Sequence, residues 1–245
     1  MTLPDTKHPY KRILLKLSGE VFMGADKYGL DDSSLLRIAG AIKNIRDSGY
    51  EIGIVIGGGN IFRGLAHTDS IIQRSPADQM GMLATLINGI ALKQYIASLG
   101  CPVRLLTALD CPRIAESYRW ENAIEYIANG EVLIFAGGTG NPYFTTDTAA
   151  ALRAKEIDAD LFLKATKVDG VYNKDPFLYK DALRYEKISF TEALSQNLKV
   201  MDSTAFALCM TEQLPVFVFN MDMLYTHTLQ EILQDKTHGT LVKEE

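Results

Sequence analysis

Two hydrophobic periods alternate along this chain. Apolar runs of about five or six residues, each bounded by breakers, occur at 12–17, 52–56, 102–107, 132–136, 159–164 and 214–220. Runs of this length have the form of strands buried on both faces. Between them the spacing changes to that of helices. After Asp31-Asp32-Ser33-Ser34, the residues Leu35, Leu36, Ile38, Ala39, Ile42 and Ile45 form one apolar face, and Gly49 stops the helix. Ser75-Pro76-Ala77-Asp78 predicts a second helix start, with serine as cap, proline at the first helical position and an acid three after the cap. That helix runs through Leu83, Leu86, Ile87, Ile90 and Ala91 to Gly100. Further helices are predicted over 121–128 with Gly130 as cap, from Thr145-Thr146-Asp147, from Ser189, from Asp202-Ser203-Thr204, and over 224–233. A last edge strand is predicted at 239–242. Strand and helix alternating in this way predict an α/β fold with a mainly parallel sheet covered on both faces.

Glycines cluster where three of these strands end. Gly137-Gly138-Thr139-Gly140 follows the 132–136 run, Gly57-Gly58-Gly59-Asn60 follows 52–56, and Ser18-Gly19 follows the first run. Strand, glycine turn and helix N-terminus present backbone N–H groups to an anion. Taken singly, each is also an ordinary turn. Lys16 and Lys164 lie inside apolar strand patterns, and such a lysine belongs near the strand's carboxyl end, where it reaches a crevice instead of being buried unpaired. Open parallel sheets bind ligands at those ends. With Arg63, the pattern describes a polyphosphate site. Asp78 has two open readings, a ligand or merely the end of a helix cap. Asp169-Gly170 reads as a turn, 23–30 as a connecting loop, and 173–187 as a long loop or short hairpin of the kind that often covers a site.

Composition narrows the class. The 245 residues suit one large domain or two small lobes, and 47% hydrophobic with 22% charged residues is ordinary for a globular chain. A net charge of −5 disfavours a dedicated nucleic-acid binder. Cys101, Cys111 and Cys209 lack metal spacing and fit a reducing cytoplasm, and no metal site is expected of the side chains. No apolar stretch approaches the ~20 residues of a membrane span, and 1–9 reads as a polar tail. The P-loop, protein-kinase and dinucleotide signatures are missing. His8, His67, His227 and His238 pair with no serine or cysteine. Transfer between two phosphates suits such a chain, because the acceptor is already an oxyanion and needs no general base.

The motifs Lys16-Leu-Ser-Gly19, Ile56-Gly-Gly-Gly-Asn60 with Arg63, Asp78-Gln-Met-Gly-Met82, Gly138-Thr-Gly-Asn-Pro-Tyr-Phe-Thr-Thr-Asp147 and Lys164-Ala-Thr-Lys-Val-Asp-Gly-Val-Tyr172 resemble the bacterial uridylate (UMP) kinases of the amino acid kinase superfamily. Val200-Met201-Asp202 and Val218-Phe-Asn220-Met221 look like the same family. The resemblance implies a three-layer αβα sandwich forming a single domain. Its part at roughly 10–150 would hold UMP, and its part at roughly 151–242 would hold ATP. It implies conversion of UMP and ATP to UDP and ADP with Mg²⁺, in pyrimidine nucleotide synthesis in the cytoplasm. Lys16, Asp147 and Lys164 would be catalytic, Asp147 orienting the lysines. ATP would meet Lys16, Leu17, Ser18, Gly19, Gly59, Arg63, Thr166, Tyr172 and Asp175. UMP would meet Gly58, Asp78, Thr139, Gly140, Asn141, Pro142, Tyr143, Phe144, Thr145 and Thr146, with Asp78 on the ribose. The family further implies a homohexamer activated by GTP and inhibited by UTP, with Gly24, Ala25, Asp26, Lys27, Tyr28 and Gly29 linked to GTP. Three rivals remain: a superfamily enzyme acting on a carboxylate or carbamate, an anion-storing relative, and a nucleic-acid-binding regulator.

Overall fold

A computed structural model describes residues 10–63 and 71–244. The polar tail 1–9, with His8, and His67 lie outside the described residues. The strands are β1 (Arg12–Leu17), β2 (Glu51–Ile56), β3 (Val103–Thr107), β4 (Glu116–Ser117), β5 (Val132–Ala136), β6 (Leu161–Thr166), β7 (Lys187–Ile188), β8 (Val216–Asn220) and β9 (Gly239–Val242). They form one nine-stranded sheet in the order β4-β3-β5-β2-β1-β6-β8-β9-β7. All neighbouring pairs are parallel except β8 with β9.

The helices divide between the two faces. Those of α1 (Asp32–Asp47), α2 (Arg74–Ser98) and α7 (Leu229–Gln234) pack on one side, where Leu35, Ile42, Leu92 and Ile232 share one cluster with Ile13, Leu15 and Leu17 of β1. Those of α3 (Trp120–Ala128), α4 (Thr146–Glu156), α5 (Phe190–Ser195) and α6 (Ser203–Thr211) cover the other, where Ala150, Ala154, Phe190 and Cys209 lie in one cluster with Leu14 of β1 and Phe162 of β6. Burying one such large apolar side chain contributes roughly 1.5–3 kcal/mol. The alanine run 149–151 lets α4 lie close on the sheet; all three residues are fully buried.

Four local expectations change. Helix α2 starts at Arg74, not after Ser75, and its N-cap Gln73 makes no side-chain hydrogen bond. Pro76 did not discriminate between the two starts, because none of the first-turn N–H groups has an intrahelical acceptor. The helix expected over 224–233 is split: a 3-10 turn, Met221–Tyr225, precedes α7, and Thr228 with Glu231 forms a capping box between them. The Thr228 hydroxyl satisfies new helix N–H groups there, so the chain restarts instead of continuing. Strand β9 is not the edge, because the two-residue β7 pairs outside it and buries Ile188. The two-residue β4 at the opposite edge was also unexpected, being too short to show a period. The 167–187 stretch holds one antiparallel bridge, Tyr172 with Arg184.

Candidate active site

Strand register sets the centre of the site. Lys16 and Lys164 are direct partners across the parallel β1–β6 pair. Side chains alternate across a sheet, so both lysines share the face of Leu14 and Phe162, which α4 covers. They stand near the carboxyl ends of their strands, where the sequence requires them. The first turn of α4 brings Asp147 between them. Its Oδ1 lies 2.9 Å from Lys16 Nζ, and its Oδ2 accepts a hydrogen bond from Lys164. The side chains of Lys16, Lys164 and Asp147 are only 16, 12 and 14% exposed.

The electrostatics follow from this packing. Burial opposes the charged form of Asp147, but the two ammonium groups outweigh it and hold the carboxyl below its ordinary value. For Lys164, burial is the largest influence and Lys16 adds to it; together they exceed the support from Asp147 and Asp202, so its pKa falls below 10.5. The α4 N-terminus is tied down further. Thr145 caps it, accepting the N–H groups of Asp147 and Thr148. Asp202, the cap of α6, accepts from the Thr145 hydroxyl, from Thr148 Oγ1 at 2.9 Å, and from the N–H groups of Thr204 and Ala205.

Close backbone approach explains two glycines. A Cβ on Gly19 would stand 2.5 Å from Asn60 Oδ1 and 2.6 Å from the Gly57 carbonyl, so the first turn can press against the second only without one. A Cβ on Gly58 would stand 2.8 Å from both the Ala84 Cβ and the Gly81 carbonyl of α2. Asn60 and Asn88 exchange buried hydrogen bonds of 2.7 and 3.0 Å, which fastens the Gly57–Asn60 turn to α2.

Two clefts open at these strand ends. The first, of about 630 Å³, brings together Gly58, Asp78, Thr139, Asn141, Phe144, Thr145 and Thr146. Gly59 and Arg63, expected at the ATP phosphates, stand in this cleft too. The second, of about 850 Å³, holds Lys16, Ser18, Lys164 and Thr166, and is bordered by Gly24 and Ala25. The remaining expected residues line neither. Leu17 is fully buried core, and Gly19 packs in the turn. Gly140 donates its N–H to the Gly137 carbonyl, and Pro142 sits beside Tyr143 in an exposed turn. Tyr172 donates its hydroxyl to Asp169 at 2.6 Å, and Asp175 accepts the N–H of Phe177. Of the 24–29 loop, Asp26, Lys27 and Tyr28 are exposed, and Gly29 exchanges hydrogen bonds with Asn60.

Four residues escaped the sequence reading. Glu20 lines both clefts and pairs with Arg63 on one side and with Lys167 at 2.5 Å on the other. Side-chain hydrogen bonding to Lys167 is the largest influence on its carboxyl, which is held below the ordinary value. Lys167 was legible as charge but not as a partner, because only the fold brings the β1 and β6 ends together. Asp202 was read as a helix start, which it is; its second role at α4 depends on α4 and α6 lying side by side. Arg74 lines the first cleft and pairs with Asp78, 2.8 Å from Nε to Oδ2. Asp78 therefore does not complete a cap; it joins α2 to Tyr143, whose N–H it accepts at 2.8 Å.

Residues 11–220 match the amino acid kinase family. The uridylate kinase of Protochlamydia amoebophila (strain UWE25) is 55% identical over 232 residues, covering 95% of this chain and 92% of that protein. The crystal structure of UMP kinase from Ureaplasma parvum superposes with a TM-score of 0.90 at 38% identity, over 97% of this chain and 100% of that one. UMP kinase from Bacillus anthracis gives 0.90 at 37%, over 97% and 98%. Uridylate kinase from Archaeoglobus fulgidus, at 24% identity and a TM-score of 0.68 over 94% and 99%, shares the fold. The three-layer αβα chain with its paired strand-end lysines belongs to the amino acid kinase family, on the branch of the uridylate kinases.

Proposed function

We propose that this chain transfers the terminal phosphoryl group of ATP to UMP, giving UDP and ADP, as a step of pyrimidine nucleotide synthesis in the cytoplasm. The observation that carries this reading is the Lys16–Asp147–Lys164 cluster at the strand ends beside two clefts, which Glu20 borders on both sides. The first cleft takes UMP, with Asp78 at the ribose and Thr139 to Thr146 around the base. The second takes ATP, its phosphates over Lys16 and Ser18 and its nucleoside towards Thr166. In lobe terms, the acceptor belongs to the part at roughly 10–150 and the donor nucleoside to the part at roughly 151–242. Tyr172 and Asp175 reach that nucleoside by a shift of the 167–187 segment.

The acceptor phosphate attacks as an oxyanion, so no side chain has to remove a proton. Lys16 and Lys164 offset the charge that develops on the transferring group, and Asp147 keeps both ammonium groups aimed at it. Among the described residues, no group of three His, Cys, Asp or Glu side chains could hold a metal unaided. Mg²⁺ would enter with ATP and, when bound, would supply further charge neutralisation at the phosphates. No helix among the described residues is long and apolar enough to cross a membrane. The reading extends to a homohexamer activated by GTP, acting through the 24–29 loop, and inhibited by UTP.

The test is ADP release by the purified chain with ATP and Mg²⁺, offering UMP, CMP, AMP, aspartate and acetylglutamate in turn. Turnover with UMP, lost by about a thousandfold in a folded Lys16→Ala variant, is the expected result. Turnover with a carboxylate instead overturns the acceptor assignment.

A further inference from the structure

The start of α2 breaks the usual rules for a helix N-terminus. Its N-cap Gln73 makes no side-chain hydrogen bond, its first turn holds no acid, and its first residue is Arg74. A cation there opposes the helix dipole, where an anion is favoured. The Arg74–Asp78 pair also runs in the weaker i,i+4 order, cation before anion. Helix stability gives no reason for Arg74. Such departures concentrate at functional sites.

Asp78 carries a second anomaly. Its Oδ2 receives both Arg74 Nε and the backbone N–H of Tyr143, each at 2.8 Å. Tyr143 has φ +73°, the left-handed region, which a bulky aromatic residue rarely occupies. A strained backbone of this kind persists only where its surroundings hold it. Here the N-terminal end of α2 does the holding: Asp78 accepts the N–H, and the Arg74 guanidinium lies 5.6 Å from the ring centroid. Both bonds converge on one carboxylate oxygen, so neither commits Oδ1. Arg74, Asp78 and the neighbouring Asn141 and Phe144 all line the first cleft.

We propose that Arg74 is a positioning residue for the acceptor: by fixing Asp78 and, through it, Tyr143, it presents one carboxylate oxygen to the ribose and sets the preference for ribonucleotide over deoxyribonucleotide. This rests on the assignment of UMP to the first cleft. Arg74 acts through Asp78 and not on the phosphate, and the two routes predict different kinetics. A lost phosphate contact weakens UMP and dUMP alike. A misplaced Asp78 weakens UMP far more, because dUMP lacks the hydroxyl that Asp78 would bind.

The experiment is steady-state kinetics of the full chain with UMP and dUMP at saturating ATP and Mg²⁺, for Arg74→Met, Arg74→Lys, Asp78→Asn and the Arg74→Met/Asp78→Asn pair, with melting temperatures measured alongside. Arg74→Met is expected to raise the KM for UMP about tenfold, the size of one lost charge-assisted hydrogen bond, with kcat within about threefold and the KM for dUMP little changed. Arg74→Lys is expected to recover part of the UMP preference. The paired variant is expected to match Asp78→Asn alone, as for residues acting through one contact. Equal weakening of UMP and dUMP overturns the proposal, as do an unchanged UMP preference in Arg74→Met and additive effects in the pair. If Arg74→Met fails to fold, Arg74→Lys decides: full loss of the preference, or none, overturns the proposal. No turnover of UMP by the unsubstituted chain overturns the acceptor assignment itself.

Discussion

The Lys16–Asp147–Lys164 cluster and the 167–187 segment follow the same set of strand ends but are built in opposite ways. The cluster draws one residue each from β1, α4 and β6, and its register is fixed by a parallel ladder. The segment has a single antiparallel bridge, and it exposes Phe177, Leu178, Tyr179 and Leu183. In the cluster, the side chains are aimed by two central strands and the start of α4; the segment is held by its own turns and by a few bonds to β9 and its neighbours. Precision resides in the cluster: under the proposed function, the charge that meets the reacting group stands on the sheet, and the residues proposed for the nucleoside stand in a segment held mainly by turns.

The contrast gives predictions of decreasing size. Asp147→Asn leaves two ammonium groups without the carboxylate between them. It is expected to lower stability by about 3 kcal/mol, as when one member of a buried pair is removed, and kcat by about a hundredfold. Urea unfolding and turnover check this, and a variant with unchanged stability would break the account of the cluster.

The next effect is on pH. Burial, then Lys16, hold Lys164 below 10.5, against support from Asp147 and Asp202; Cys209, beside the same groups on α6, has its thiol pushed up to about 12 and stays neutral. Turnover is expected to fall on the alkaline side before pH 10.5 is reached. Asp202→Asn is expected to move that limb to still lower pH, because one supporting charge is gone. Stability runs the other way. Between the folded and unfolded values the unfolded chain binds the extra proton, so this lysine's contribution to stability rises with pH there. Rate and urea midpoint, each followed against pH, separate the two.

The smallest effect belongs to the segment. Tyr172→Phe removes the bond to Asp169 and is expected to change the KM for ATP by less than about threefold and stability by about 1 kcal/mol or less. A tenfold rise in KM would show that the tyrosine hydroxyl itself serves the donor, and would redraw the line between the two regions.

Legibility in the sequence follows the same division. Lys16 and Lys164 were readable because a lysine inside an apolar strand has few places to go. Gly19 and Gly58 were readable because breakers end strands. The α2 start is hidden in the sequence: serine and proline at 75–76 satisfy the usual pattern, while the start at Arg74 follows none. Glu20 gave no sign of its two partners, since Arg63 and Lys167 lie far from it in sequence. Tyr172 and Asp175 were assigned by resemblance, and no period or spacing in 167–187 constrains where their side chains point.

The order of the sheet has a consequence for behaviour at high concentration. Both margins are strands of two residues, β4 and β7. A long bare margin offers rows of unpaired N–H and C=O groups to any passing chain, and proteins often shield such rows with charge or proline. Here the rows are short: β4 covers Leu106 and Thr107 of β3 and leaves Val103 to Leu105, where Arg104 pairs with Glu116 and Glu131. The seven longer strands, including the largely buried β1, β2, β5 and β6, lie inward of these two-residue margins. Short margins and the charged Arg104 together limit strand-by-strand aggregation of this molecule.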